Sequence, residues 1–241
     1  MSPEILCLII AGLITGFSKL SVGGMGLLIL PVMMLYFPGP VVLGITIPLY
    51  VLTDIVAAAH YRKHIQWSVL SRLMPLTLVG VLGGSWLLAH LPPEGFKLLL
   101  GVMIVAMILL GVLLERCDTR LMCHPLSGHV AGTTVGFVSM TSNSAGPLVS
   151  LFMLEQNLSK EAYLSTRAWA FLMLNLIKLP FFFTLGLLNM ETLQLTLWTL
   201  PGLALGALLG IKLLSKLEFK HIKWLVRGMA TLAAIRLLSA S

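Results

Sequence analysis

The sequence predicts an all-α integral membrane protein built as two inverted repeats, each a broken re-entrant helical hairpin followed by three full transmembrane helices. Three observations predict it. Of 241 residues, 58% are hydrophobic and 10% charged, where soluble domains carry about a quarter charged. Polar, glycine-rich breaks interrupt two long apolar runs, at Ser18–Gly26 and at Thr141–Gly146. Finally, features of the first half return in order in the second. Gly16-Phe17 recurs as Gly136-Phe137, Gly26 as Gly146 and Asp54 as Asn175. Pro75, Gly80, Gly84 and Lys97 recur as Pro201, Gly206, Gly210 and Lys223. Internal duplication of this kind is common in secondary transporters.

The elements follow from these breaks. Residues 4–36 are too long for one span, since about 20 residues cross the hydrocarbon core. They read as half-helices over 4–18 and 24–36. Full spans follow at 41–60, 73–90 and 96–114, with Pro92 and Pro93 marking a turn. The second half gives half-helices at 127–140 and 148–157, then spans at 162–185, 194–214 and 221–238. The repeats are residues 1–120 and 121–241, within a single membrane domain. The N-terminus has no basic stretch or small-residue cleavage pattern and reads as retained.

Cytoplasmic loops collect Lys and Arg, and three basic regions set the orientation. These are Arg62, Lys63 and Arg72; Arg116 and Arg120; and Lys212, Lys216, Lys220 and Lys223. They share one side only if 127–157 enters and returns on the same face. By the repeat, 4–36 does so from the opposite face. Six full spans and two hairpins result, with both termini outside, in the inner (plasma) membrane. The net charge of +7 is then a topology signal, and the spread of basic residues between apolar runs excludes nucleic-acid binding. Cys7, Cys117 and Cys123 make no disulfide framework, and Cys123-His124 has no partner cluster, so neither metal nor cofactor is expected. Lipid surrounds the chain, and a homodimer is compatible with it.

Backbone freed by a break inside a membrane must line a cavity or bury in protein. The hairpin tips are therefore the candidate site. Half-helix starts there favour anions. The candidate substrate-binding residues are Ser18, Lys19, Ser21, Gly23 and Gly24 at the first tip, and Ser142, Asn143, Ser144 and Gly146 at the second. Asn175 and Lys178 join them from a later span. A charge at the bilayer centre costs about 2.5–3.5 kcal/mol on insertion scales, so Lys19, Asp54 and Lys178 need partners or water. Asp54 is either the neutralising partner of Lys19 or Lys178, or a carboxylate that carries protons. Gly12, Gly16, Gly80, Gly84, Gly128, Gly132, Gly206 and Gly210 suit close helix packing. Arg167 is expected to snorkel to the cytoplasmic edge, and His129 to be packed and hydrogen-bonded. Trp67, Trp86 and Trp198 suit interfacial anchors. No nucleotide-binding, zinc-hydrolase or nucleophile-elbow motif occurs, so an enzyme is not expected.

The tip Gly16-Phe-Ser-Lys-Leu-Ser-Val-Gly-Gly-Met-Gly-Leu-Leu-Ile-Leu-Pro31 resembles the glycine-rich signature of the sulfite exporter TauE/SafE family. So do Pro48 through Asp54 to Tyr61-Arg62, followed by Trp67. Asn143-Ser-Ala-Gly-Pro147, Thr166-x-x-Trp169 and Asn175-x-x-Lys178-x-Pro180 continue the likeness over nearly the whole chain. The resemblance implies a transporter of sulfur-containing anions: sulfite, organosulfonates or related oxyanions. Family members move such anions in either direction. The expectation is a secondary transporter that exports a small sulfur anion bound between the tips, coupled to protons through Asp54. A passive anion channel is the alternative, and an integral-membrane enzyme acting on a sulfur compound a more remote one.

Overall fold

The computed structural model describes residues 2–20, 28–113 and 125–214. Ten helices cover them, and they contain no strand. Helices α1 (Pro3–Leu20) and α2 (Ile29–Met33) are followed by α3 (Val41–His60), α4 (Trp67–His90) and α5 (Pro93–Leu113). The second half holds α6 (Pro125–Ser142), α7 (Gly146–Leu154), α8 (Lys160–Thr184), α9 (Met190–Leu197) and α10 (Leu200–Leu214). The expected span at 221–238, the basic residues Lys216, Lys220 and Lys223, and Ser21, Gly23 and Gly24 lie outside the described residues.

By length and apolarity, α3 and α4 can each cross a bilayer, and α9 with α10 forms a third, bent candidate. The outward faces fit lipid. Leu52, Ile55 and Val56 on α3, Leu78, Val79 and Leu82 on α4, and Val102 and Leu109 on α5 are all exposed. Trp67 and Trp86 are also exposed near opposite ends of α4. Nineteen residues separate them, or about 28 Å of helix, close to the thickness of a bilayer core.

One expected span is two helices. Residues 194–214 are broken at Trp198 and Thr199, where α9 meets α10 at 43°. Pro201 explains the break. It lacks an N–H and its ring clashes with the carbonyl four residues back, so it favours a first turn and ends α9 here, although Pro48, Pro75 and Pro180 are accommodated inside α3, α4 and α8. Helix α9 also starts earlier than expected. Asn189 caps it with a reciprocal capping box to Thr192, satisfying two otherwise free donors.

Both broken segments fold back on themselves. The Cys7 Sγ in α1 donates to the Val32 carbonyl in α2, at 3.3 Å. Phe152 in α7 lies against Gly128 near the start of α6. Each outer arm then packs, parallel and tightly, on a helix of the other half. A Cβ built at Gly12 or Gly16 would overlap the carbonyl of Thr199 or Leu203, and one at Gly202 or Gly206 that of Ile9 or Leu13. The α4–α6 pair repeats this: Gly80 faces the carbonyl of Thr133, Gly132 that of Leu73 and Gly136 that of Thr77. Lipid supplies no hydrophobic drive between helices, so small residues and close backbone approach bind them instead. Gly80→Val should therefore force α4 from α6, at about 1–3 kcal/mol or more. A lower melting temperature in detergent is the expected result.

Buried hydroxyls are satisfied locally. Thr15, Thr46, Thr53, Thr77 and Thr141 each donate to the carbonyl four residues back. Where water is excluded, this is the least costly partner for a helical Thr.

Candidate functional site

The site is built where α3 and α8 cross antiparallel. Gly44 meets Leu187 at one end of the pair. At the other, the Gln66 N–H donates to the Thr166 Oγ1 at 3.0 Å and Trp67 stacks edge-on against Trp169. Between them lie Asp54 and Asn175, both buried. Asn175 Nδ2 donates to Asp54 Oδ2 at 2.5 Å. Two positions that correspond in the sequence repeat are therefore in direct contact.

Lys19 comes from the last turn of α1, where a cation also favours the helix dipole. Its Nζ donates to Asp54 Oδ1 at 2.5 Å. Both carboxylate oxygens are thus occupied, and of the two lysines proposed as partners it is Lys19 that Asp54 pairs with. Tyr50 and Phe171 each lie 5.0 Å from the ammonium, close enough for their ring faces to attract it.

The second tip is organised by Lys178, which is fully buried. Its Nζ donates to Asn143 Oδ1 at 2.6 Å and to the Ser139 carbonyl at 3.2 Å. Asn143 terminates α6 in the left-handed region, with φ 50°, a conformation that Asn tolerates better than most residues. Its Nδ2 donates to Thr46 Oγ1 at 3.1 Å, tying the break to α3. Ser142 donates back to Val138 and Ser144 to Ser142.

These groups surround a cavity of about 160 Å³. Ser18, Lys19, Asp54, Asn143, Ser144, Gly146 and Asn175 line it. Lys178 stands behind Asn143, and Ser142 turns its hydroxyl into α6. Gly146 is the first residue of α7, and a Cβ there would meet nothing within 4 Å. The first N–H groups of a helix have no partner within it, so this wall of the cavity offers donors. Gly146→Ala should therefore fold normally while its methyl narrows the cavity. A roughly tenfold rise in KM for a bound anion, about 1.4 kcal/mol, is expected, with no change in melting temperature.

Three features depart from expectation or were not foreseen. Arg167 is only partly exposed. It lines the cavity, with its guanidinium carbon 5.2 Å from the Phe171 ring. The reason is helical register: Leu164, Arg167, Ala168, Phe171 and Asn175 recur at three- and four-residue steps and share one face of α8. That spacing is legible in the sequence, although the direction of the face is not. His129 is packed, but its Nδ1 has no hydrogen-bond partner among the described residues. Tyr50, Tyr61 and Thr15 also line the cavity; Tyr50 and Tyr61 lie in the Pro48–Arg62 stretch, whereas no motif marks Thr15.

Residues 8–237 match the protein-family model described as Sulfite exporter TauE/SafE. No curated protein and no solved structure matches the chain. The family match covers nearly the whole sequence, so the chain belongs to the sulfite exporter TauE/SafE family, a family of membrane transporters for sulfur-containing anions such as sulfite.

Proposed function

We propose that this TauE/SafE family member is a proton-coupled secondary transporter that exports a small sulfur oxyanion, sulfite or a short organosulfonate, through the cavity between its two halves. The observation that carries the reading is the Lys19–Asp54 ion pair, facing the Asn143 break across that cavity. The volume agrees in scale. A cavity of about 150 Å³ holds a benzene-sized guest of about six heavy atoms, more than sulfite needs and enough for a short sulfonate.

The ion pair supplies a coupling rule. While Asp54 is ionised it occupies Lys19. A proton on Asp54 removes that countercharge and leaves the ammonium to an anion, so proton and anion bind together and move together. The charged and titratable groups around Asp54 are Lys19, Tyr50, Tyr61 and Arg167, with Lys178 behind Asn143. A dianion leaving with one proton carries net negative charge outward. An inside-negative potential favours this by about 2.3 kcal/mol per charge per 100 mV.

The two segments that fold back are taken as re-entrant hairpins from opposite faces of the inner membrane. The repeats are taken as inverted about an axis near the Asp54–Asn175 contact. Alternating access then comes from rocking one half against the other. In proteoliposomes, labelled sulfite efflux should saturate and should respond to an imposed pH gradient. Flux that never saturates and ignores the gradient would establish the passive channel instead.

A further inference from the structure

We infer that Arg167 is a substrate ligand, and that its guanidinium fork selects oxyanions over spherical anions at the end of the cavity nearest the 61–66 loop. The inference rests on the transport reading above and adds a residue and a specificity to it.

Three cations stand in or against the cavity, and two are already engaged. Lys19 is paired with Asp54, and Lys178 donates to Asn143 and Ser139. Arg167 makes no ion pair or hydrogen bond among the described residues, and its buried Nε has no acceptor. Such a donor is rarely left alone in a folded protein, and each instance calls for an explanation. Here the side chain is already positioned. Phe171 lies against the guanidinium carbon, and Tyr61 and Leu164 close the same end of the cavity.

The charge balance agrees. Lys19 and Asp54 cancel, which leaves Arg167 as an uncompensated positive charge lining the cavity among the described residues. The chemistry narrows the ligand further. The two terminal Nη–H groups point in parallel and match two oxygens of one head group, a geometry that an ammonium cannot copy. Sulfite and sulfonates present such oxygens, whereas chloride presents none and gains only charge attraction.

The test uses the full chain, purified and reconstituted, with labelled sulfite as substrate and chloride as competitor. Arg167→Lys should weaken sulfite binding roughly tenfold while leaving chloride inhibition unchanged, because charge stays and the fork is lost. Arg167→Met should weaken sulfite at least about a hundredfold. Its melting temperature without ligand should not fall appreciably, since no ion pair or hydrogen bond is broken and a Met side chain can still pack on Phe171. Wild-type sulfite affinity in both variants, with saturable wild-type flux, would remove Arg167 from the site and leave the transport reading standing. Equal losses for sulfite and chloride in Arg167→Lys would overturn the selectivity. Absence of saturable sulfite flux in the wild type would overturn both readings together.

Discussion

Asp54→Asn should abolish proton-driven sulfite movement while preserving sulfite exchange between equal pH compartments. The carboxylate holds Lys19 through one oxygen and accepts from Asn175 through the other. An amide keeps the shape but carries neither the countercharge nor the proton. Lys19 is then permanently open to an anion. Sulfite affinity should rise and become insensitive to pH across the range in which wild-type binding tightens on acidification. Proton-driven flux should fall at least about a hundredfold, equivalent to about 2.7 kcal/mol. The protein should survive the change. Lys19 is 23% exposed, so water reaches it, and the loss stays below the about 3–5 kcal/mol typical of breaking a fully buried pair. Retained proton coupling in this variant, measured as sulfite accumulation under a pH gradient, would assign the coupling to another group.

Lys178→Met should eliminate transport with little cost in stability. The ammonium is wholly buried, and its bonds run to Asn143 and Ser139 rather than to a carboxylate. Two opposing terms decide the stability. Hydrogen bonds to a charged group contribute about 1.5–3 kcal/mol each. Burial of the ammonium costs several kcal/mol, which an apolar side chain of similar length avoids. They offset to within about 2 kcal/mol, so the variant should fold and insert. Function has no such compensation. Asn143 loses one of the two contacts that hold its side chain, and the start of α7 loses its position against the cavity. Transport should drop at least about a hundredfold. Normal flux in a variant that melts normally would show that the break is positioned without Lys178.

Parts of this arrangement are readable in the sequence because they are local. Apolar runs give the helices, and glycine-rich polar clusters locate the two breaks. The contacting pair Asp54 and Asn175 is visible as a repeat match. Other parts depend on contacts between residues far apart in the chain, such as Asn143 with Thr46 or Gln66 with Thr166. No periodicity reports which carbonyl a glycine will meet, so Gly80 reads as a packing residue while Thr133 as its neighbour does not. The choice of Lys19 as the partner of Asp54 likewise follows from the approach of α1 to α3. The break before Pro201 is legible in the proline itself, which disfavours helix at the preceding residue, but the continuous apolar run from 194 hides it. The nearness of Arg167 to a helix start suggests the membrane edge, whereas its register on α8 brings it to the cavity.

The central claim is that a sulfur oxyanion binds in the cavity at Lys19. Equilibrium binding of labelled sulfite to the purified protein, compared with Lys19→Ala, tests it most directly. The wild type should bind saturably at one site per chain, with methanesulfonate competing, and Lys19→Ala should lose that binding while remaining folded. No saturable binding to the wild type, or undiminished binding to Lys19→Ala, would contradict it.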